Sequence, residues 1–470
     1  MDVVAGVDSS TQSTKVELRD VETGRVVGRG AAPHPATTPP RSEQDPLAWW
    51  VAFELAFAAA VDEAGTVAVV GISVAGQQHG MVTLDANGEV LRPAKLWNDT
   101  ESGADASWLC QQLPAADWAA AVGSVPVAAF TVTKLSWLHR TEPEAWSRLA
   151  HVLLPHDWLT YKMTGQLVTD RGDASGTGYW SPRTGEYRWD LLGIVDSNRD
   201  WSLAVPRVAA PTEVVGHWRG IPVACGTGDN MGAALGLGLA AGTAVISIGT
   251  SGTAYAVSDA PTADPSGTVA GFADASGRYL PLACTLNATK VTDAVARLLG
   301  VGRDEFTALA LAAESGAGGL TLLPYFDGER TPNLPGANGW LSGLRSDASR
   351  EQLARAAVEG VCCSLLDALD AIRALAPVDR VVLVGGGARS EAYRQVLATL
   401  CDLPLGTADA DEAVATGACV QAAAAARGQT HEDVARRWAL GTFTALERPN
   451  EAGADVRAQY AALLGAAYSL

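Results

Sequence analysis

Two stretches, VVAGVDSSTQSTKVELRD (Val3–Asp20) and AVISIGTSGTAYAVSD (Ala244–Asp259), decide the fold. Each runs as an apolar strand, a tight turn of small polar residues and a second apolar strand. We read them as a degenerate internal repeat, one copy opening each half of the chain. The first copy leads through ETG to RVVGRGAA, a further strand turned by glycine. DPLAWWVAFELAFAAAVDEAG then predicts a helix, with Asp45 as cap, Pro46 at the first helical position and Gly65 at the end. VAVVGISVAG follows as a buried strand. Hairpin, helix, strand is the start of an α/β domain. The second copy leads to a helix, EQLARAAVEGVCCSLLDALDAI, and then to DRVVLVGGGARSEAYRQVLATLCD, a strand, a triple-glycine turn and a helix. The expectation is two α/β domains, 1–243 and 244–470, with SDAPTADPSG (258–267) as a surface loop. The alanine tract Ala422–Ala426 falls inside a helical pattern and reads as a close-packed helix.

The bulk numbers agree with this. At 470 residues the chain is too long for one ordinary core. It is 48% apolar and 18% charged, the balance of a packed protein rather than a disordered one. A formal charge of −18 argues against a nucleic-acid surface, which needs a basic face. A phosphate ligand would have to be met by backbone N–H groups, a metal and a few local cations. The seven cysteines include the adjacent pair Cys362–Cys363 but no Cys-x-x-Cys, so reduced thiols in the cytoplasm are expected. MDVVAGVDSS has no basic region and is not read as a signal peptide. No run of about 18 apolar residues predicts a membrane span.

Five motifs carry polar chemistry. In GVDSSTQSTK (6–15), a Ser/Thr turn after a strand suits phosphate, Lys15 adds charge, and Asp8 can hold a hydrated Mg²⁺. The plain alternative is a hairpin turn whose Asp and Ser bond their own backbone. IGTSGT (248–253) has the same two readings, with Gly249 and Gly252 open to close approach. VGGGARS (384–390) is a nucleotide-type turn or a helix start that needs positive φ; it is neither a Walker loop nor a dinucleotide fingerprint. In CGTGDNMGAALGLGL (225–239), Asp229 is a helix cap or a general base at a helix start. AGQQHGMV (75–82) and KLWNDTES (95–102) offer Gln78, His79, Trp97, Asn98 and Asp99, the mixture of directional polar groups and an aromatic face that binds polyols. His79 read alone is equally a structural histidine.

Taken together, and in this order along nearly the whole chain, the motifs closely resemble the sugar kinases of the FGGY family. GVDSSTQSTK, SEQDPLAWW, GQQHG, LRPAKLWNDTE, LLPHDWL, GTGDNMGAALGLG, SIGTSGT, PYFDGERTP and GGGARSEAYRQVLA carry the resemblance. The family's C-terminal signature reads as GWLSGLRSDASREQLARAAVE (339–359). The resemblance implies two actin-like (ribonuclease H-like) domains, each on a five-stranded mixed sheet, with ATP held between them. It makes Asp229 the catalytic base and Asp8 the carboxylate that organises Mg²⁺ and the phosphates. Gln78 and His79 match the sugar-contacting pair, and Trp97, Asn98, Asp99 and Asn230 look like further pocket residues. Thr11, Ser13, Lys15, Gly249, Thr250, Ser251, Gly252 and Thr253 are implied on the phosphates, and Gly385, Gly386, Gly387 and Ala388 on the adenosine.

The implied activity is phosphoryl transfer from MgATP to a sugar, with the 5-hydroxyl of D-xylulose as acceptor in D-xylose catabolism. L-ribulose, glycerol or gluconate are the alternatives among these kinases, and an actin-like ATPase without sugar turnover is the alternative outside them. Members are often dimers. This sequence departs from the family in three places. Asp8-Ser9-Ser10-Thr11 replaces Asp-x-Gly-Thr, Gln78 stands where relatives often have Met, and the N-terminal signature around AFTVTKLSWLHRTE is met imperfectly at Ala129 and Thr141. The helix dipole at Asp229 is expected to favour the ionised carboxylate at neutral pH.

Overall fold

A computed structural model describes residues 1–408, 412–449 and 454–468. The opening strand β1 (Asp2–Ser9) is apolar from Val3 to Val7 and is buried from Val3 onward. It lies at the centre of a mixed sheet, antiparallel to β2 (Ser13–Asp20), which in turn pairs with β3 (Val26–Pro33). Helix α1 (Pro46–Ala64) begins as expected: the Asp45 side chain accepts from Leu47 N–H, Pro46 is the first helical residue, and Gly65 closes the helix at φ 71°. Its buried residues, Pro46, Trp49, Ala52, Phe53, Ala56 and Ala60, recur at helical spacing and face the sheet. The fit against β3 is close, since a Cβ on Gly30 would sit 2.0 Å from the Ala56 carbonyl oxygen.

Strand β4 (Ala68–Gly76) returns parallel to β1. Helix α2 (Pro155–Thr164) places Trp158 edge-on to Trp49, with ring centroids 6.2 Å apart. Burying a large side chain of this kind contributes about 1.5–3 kcal/mol over leaving it exposed. A short helix, α3 (Arg171–Ala174), is capped by Asp170. The hairpin β5 (Val214–Trp218) and β6 (Ile221–Ala224) then extends the sheet beyond β4. Strand β7 (Thr227–Gly228) pairs with the last residues of β4, and α4 (Asp229–Gly236) starts directly after it. The sheet order is β5-β6-β4-β1-β2-β3 with β7 beside β4, seven strands in all. The expected five-stranded sheet is therefore corrected, because the β5 hairpin arm and β7 add to it.

The second sheet repeats the plan. Strands β8 (Thr243–Ile248) and β9 (Gly252–Ala256) form the antiparallel pair, and β10 (Tyr279–Thr285) continues from β9. Helices α5 (Thr289–Leu299) and α6 (Arg350–Arg373) precede β11 (Arg380–Val384), which runs parallel to β8. Helix α7 (Glu391–Leu400) leads to β12 (Leu405–Thr407), parallel to β11.

Two compact units result, but no single cut of the chain separates them. The first holds residues 1–240, 259–280 and 412–442, and the second 241–258, 281–411 and 443–470. The contiguous ranges 1–243 and 244–470 mark only the first crossing. The reason for the later return is visible in α8 (Ala413–Arg427), the helix that carries the alanine tract. It packs on first-unit glycines so closely that a Cβ on Gly6 would lie 2.0 Å from the Ala415 carbonyl oxygen, and one on Gly236 1.9 Å from that of Ala413. Among the described residues no helix is long and apolar enough to cross a membrane.

Candidate active site

In the first unit the strand register brings three segments to one edge of the sheet. Asp8 pairs with Ala75, Ser9 with Gly76, Thr227 with Ala75 and Gly228 with Gly76. The C-terminal ends of β1, β4 and β7 thus deliver Asp8, Gln77–His79 and Asp229 side by side, where open α/β sheets hold their ligands.

Asp229 is the first residue of α4, and Gly228 takes the cap position, so the cap reading misses by one residue. Its Oδ1 accepts from the Asn230 backbone N–H at 2.8 Å and from Asn230 Nδ2 at 2.9 Å. The residue is partly open to solvent, yet its carboxyl lies deep enough to lose most of its hydration. Its pKa is pushed up to about 7, first by burial and then by the Asp8 and Asp173 carboxylates, against the Asn230 hydrogen bonds. The expectation of a dipole-stabilised carboxylate is reversed, because burial and two like charges outweigh one helix end. Asp8 is raised to about 6, again mainly by burial, against the Ser10 hydroxyl and Lys15.

Around this pair lie carboxamides with unused donors. Gln78 Oε1 accepts from Asn230 Nδ2 at 2.8 Å. Gln77 Oε1 accepts from Thr11 Oγ1 at 3.1 Å, and Thr11 Oγ1 accepts from Trp97 Nε1 at 2.9 Å. The Nε2 atoms of Gln77 and Gln78 are both buried with no hydrogen-bond partner, and so is Asn98 Oδ1. A buried amide N–H₂ without a partner is costly, and a polyol hydroxyl is the kind of acceptor that would relieve it. His79 holds a left-handed backbone at φ 65°. Its Nδ1 lies 2.8 Å from the Gly176 carbonyl oxygen, so Nδ1 carries the proton. The ring packs against Phe130 and Phe272, with centroids 4.9 and 5.4 Å away.

Several expected site residues are otherwise engaged. Asp99 is fully buried and accepts from Ser42 N–H at 2.8 Å, Lys95 Nζ at 2.8 Å and Glu101 N–H at 3.0 Å, which makes it a structural ion rather than a pocket wall. Glu43, Asp99 and Glu101 converge as metal ligands would, but Lys95 Nζ already lies 3.3, 2.8 and 2.5 Å from them. Lys15 is paired with Glu412 at 2.8 Å, so its charge is already compensated. Thr11 turns its hydroxyl to Gln77 and Trp97, and Ser13 lies within β2. Trp97 remains 43% exposed beside them. Gln77 is the residue that motif reading missed; the doublet Gln77–Gln78 in GQQHG was the available signal.

The second unit answers with backbone. Its triple glycine follows β11 and passes so close to β8 that a Cβ on Gly385, at φ 88°, would meet the Ile248 carbonyl oxygen at 2.8 Å. Gly387 has the same constraint, 2.4 Å from Ile248 Cγ2, whereas Gly386 faces open space. Gly386 borders two cavities. One, of about 510 Å³, is walled by Gly249, Thr250, Thr292, Phe306, Gly387 and Tyr393. The other, of about 410 Å³, includes Gly385, Ala388, Arg394 and Thr407. Of the second Ser/Thr turn, Ile248, Gly249 and Thr250 reach the larger cavity. Ser251 is exposed, and Gly252 and Thr253 belong to β9, where Gly252 is required by Leu365 Cδ2, 2.4 Å from its would-be Cβ.

Comparison with known proteins places both halves of the chain in one family. The N-terminal domain of the FGGY family of carbohydrate kinases matches residues 3–236, and the C-terminal domain matches residues 244–426. The xylulose kinase of Streptomyces rubiginosus is 49% identical over 457 residues, 95% of this chain and 92% of that protein. The xylulose kinase of Streptomyces coelicolor is 50% identical over 448 residues, 93% of this chain and 90% of that one. Among solved structures, the xylulose kinase from Bifidobacterium adolescentis superposes with a TM-score of 0.88 at 40% identity, covering 99% of both chains. With both domain models matched in order and half the residues shared with proteins of nearly the same length, this chain belongs to the FGGY family of carbohydrate kinases.

Proposed function

We propose that the protein transfers the γ-phosphoryl group of MgATP to the 5-hydroxyl of D-xylulose. The observation that carries this reading is the first-unit pocket, where a carboxylate with its pKa near 7 stands among buried amide donors with no partner. Gln77, Gln78, His79 and Asn230 bind and orient the sugar. The family likeness to two xylulose kinases at about half identity supports the choice of sugar.

An alcohol is a poor acid, but a loose phosphoryl transition state asks for little early deprotonation. Asp229 holds the attacking hydroxyl by hydrogen bond and accepts its proton late, a task suited to a group that titrates near the working pH. The cavity beside Gly386 and Gly387 receives the nucleoside, and the Gly249–Thr250 turn on its wall faces the phosphates. Asp8 fits Mg²⁺, since among the described residues no cation pairs with its buried carboxylate, which is raised by burial. When bound, the ion neutralises charge on the transferring phosphates.

An ADP-release assay over D-xylulose, L-ribulose, glycerol and gluconate tests the reading. D-xylulose should give the highest kcat/KM. A higher value for another acceptor overturns the sugar assignment, and ATP hydrolysis indifferent to every sugar overturns the kinase pocket.

A further inference from the structure

Beneath the pocket lies a buried ion cluster that the proposed chemistry does not use. His156 is fully buried near the start of α2. Its Nδ1 lies 2.7 Å from Asp173 Oδ2. Its Nε2 lies 3.1 Å from Asp157 Oδ1 and 3.7 Å from Asp170 Oδ1. Burial works against a charged ring, but the three carboxylates outweigh it and raise its pKa to about 9. One imidazolium therefore sits among three acidic groups, which makes it costly to lose.

Both arms of the pocket pack on His156, Gly76 against its Cβ and backbone and Gly226 against its ring. A Cβ on Gly76 would come within 3.0 Å of His156 Cβ, and one on Gly226, at φ 81°, within 2.5 Å of His156 Cδ2. Gly76 immediately precedes Gln77–His79, and Gly226 immediately precedes Thr227–Asp229. The carboxylates continue the contact. The His79 backbone N–H faces the Asp173 carboxylate and works against the rise in its pKa, and Gly176, whose carbonyl lies 2.8 Å from His79 Nδ1, donates its N–H to the Asp173 carbonyl at 2.9 Å. The His79 carbonyl accepts from Thr131 Oγ1 at 3.2 Å, so its left-handed backbone is gripped from both sides. A strained backbone persists where neighbours over-determine it, and Asp173 is one of those neighbours. On the other arm Asp170 Oδ2 accepts from Thr227 Oγ1 at 2.8 Å, two residues before Asp229.

We infer that His156 is a positioning residue that registers the two arms of the sugar pocket, His79 through Asp173 and Asp229 through Asp170 and Thr227. The inference rests on the reading of this pocket as the sugar site. It separates the arms by function. The Asp173 side acts on sugar binding and the Asp170 side on the base.

Four single variants test it, each assayed with D-xylulose and ATP and normalised to active protein by ADP titration. His156→Gln keeps a donor near Nε2 and abandons Asp173, and Asp173→Asn breaks the same arm without touching His156. Both should raise KM for the sugar by about tenfold, with kcat, measured at pH 8 where Asp229 is ionised with or without the Asp173 charge, within about threefold of wild type. His156→Asn keeps a donor near Nδ1 and abandons Asp170, and Thr227→Val breaks that arm in a shape-conserving way. Both should lower kcat by roughly 10²-fold, as a misplaced catalytic group does, with sugar KM nearly unchanged. Asp173→Asn and Thr227→Val keep the question open to refutation if the His156 variants do not fold. Wild-type constants in these variants, or equal changes of kcat and KM in both arms, overturn the role of His156. Absence of turnover in the wild-type protein on any sugar overturns instead the reading of the pocket itself.

Discussion

The two strand–turn–strand copies differ in what they present. The first carries Asp8 as the next-to-last residue of β1 and sets it beside Asp229, Gln77 and Gln78, all side-chain chemistry at a buried edge. The second ends β8 in Ile248 and Gly249, beside a glycine turn whose Gly386 has nothing within 4 Å of a would-be Cβ. One copy works through titratable and hydrogen-bonding side chains, the other through backbone and space. A duplicated scaffold can thus hold two unlike substrates by changing one residue class at the same turn.

The comparison breaks first at Asp229. Asp229→Asn should lower kcat by roughly 10²–10⁴-fold while leaving ADP affinity intact, measured by steady-state kinetics and calorimetry. Turnover near wild type would remove the side-chain role from the first copy. Gly386→Leu fills the open space of the second copy and should raise KM for ATP by about tenfold with sugar KM spared. A rise in sugar KM instead would mean that the division of labour is wrong. Gln77→Leu should do the reverse, raising sugar KM by about three- to tenfold, the worth of one hydrogen bond, with ATP unaffected.

The pH dependence is subtler. A base with its pKa pushed up to about 7 must be ionised to act, so kcat/KM should rise with pH up to about 7 and then level. The same shift has a stability sign. A carboxyl raised above its unfolded value binds a proton more tightly in the folded state, so stability is greatest at low pH and falls as pH rises from about 4 towards 7. Asp229→Asn should accordingly raise the melting temperature at pH 8, by roughly 2–4 °C for each kcal/mol relieved. A lower melting temperature would show that Asp229 is not a strained charge.

Much of this was legible in the chain. Asp45, Pro46 and Gly65 mark their helix by local chemistry alone, and the doubled turn announces the doubled sheet. Gln78, Asp229 and the triple glycine sit at strand ends, where short-range pattern and position suffice. What escaped depends on partners distant in sequence. Lys15 looks like a phosphate ligand until Glu412 comes to meet it, and Asp99 like a pocket residue until Ser42 and Lys95 enclose it. The raised pKa of Asp229 is a tertiary effect too: the dipole belongs to its own helix, but Asp8 and Asp173 arrive from β1 and α3. His156 reads as one residue of LLPHDWL, where the neighbouring Asp157 is the one local mark and Asp170 and Asp173 arrive from beyond the motif.

The slot filled by α8 sets an order of events in the cell. The Ala415 carbonyl that closes on Gly6 emerges from the ribosome some four hundred residues after it. At about 5–20 residues per second, that is a wait of tens of seconds during which the opening strand has one flank uncovered. The N-terminal half is therefore a client for protection during synthesis, and a fragment ending at residue 243 would remain one for its whole life.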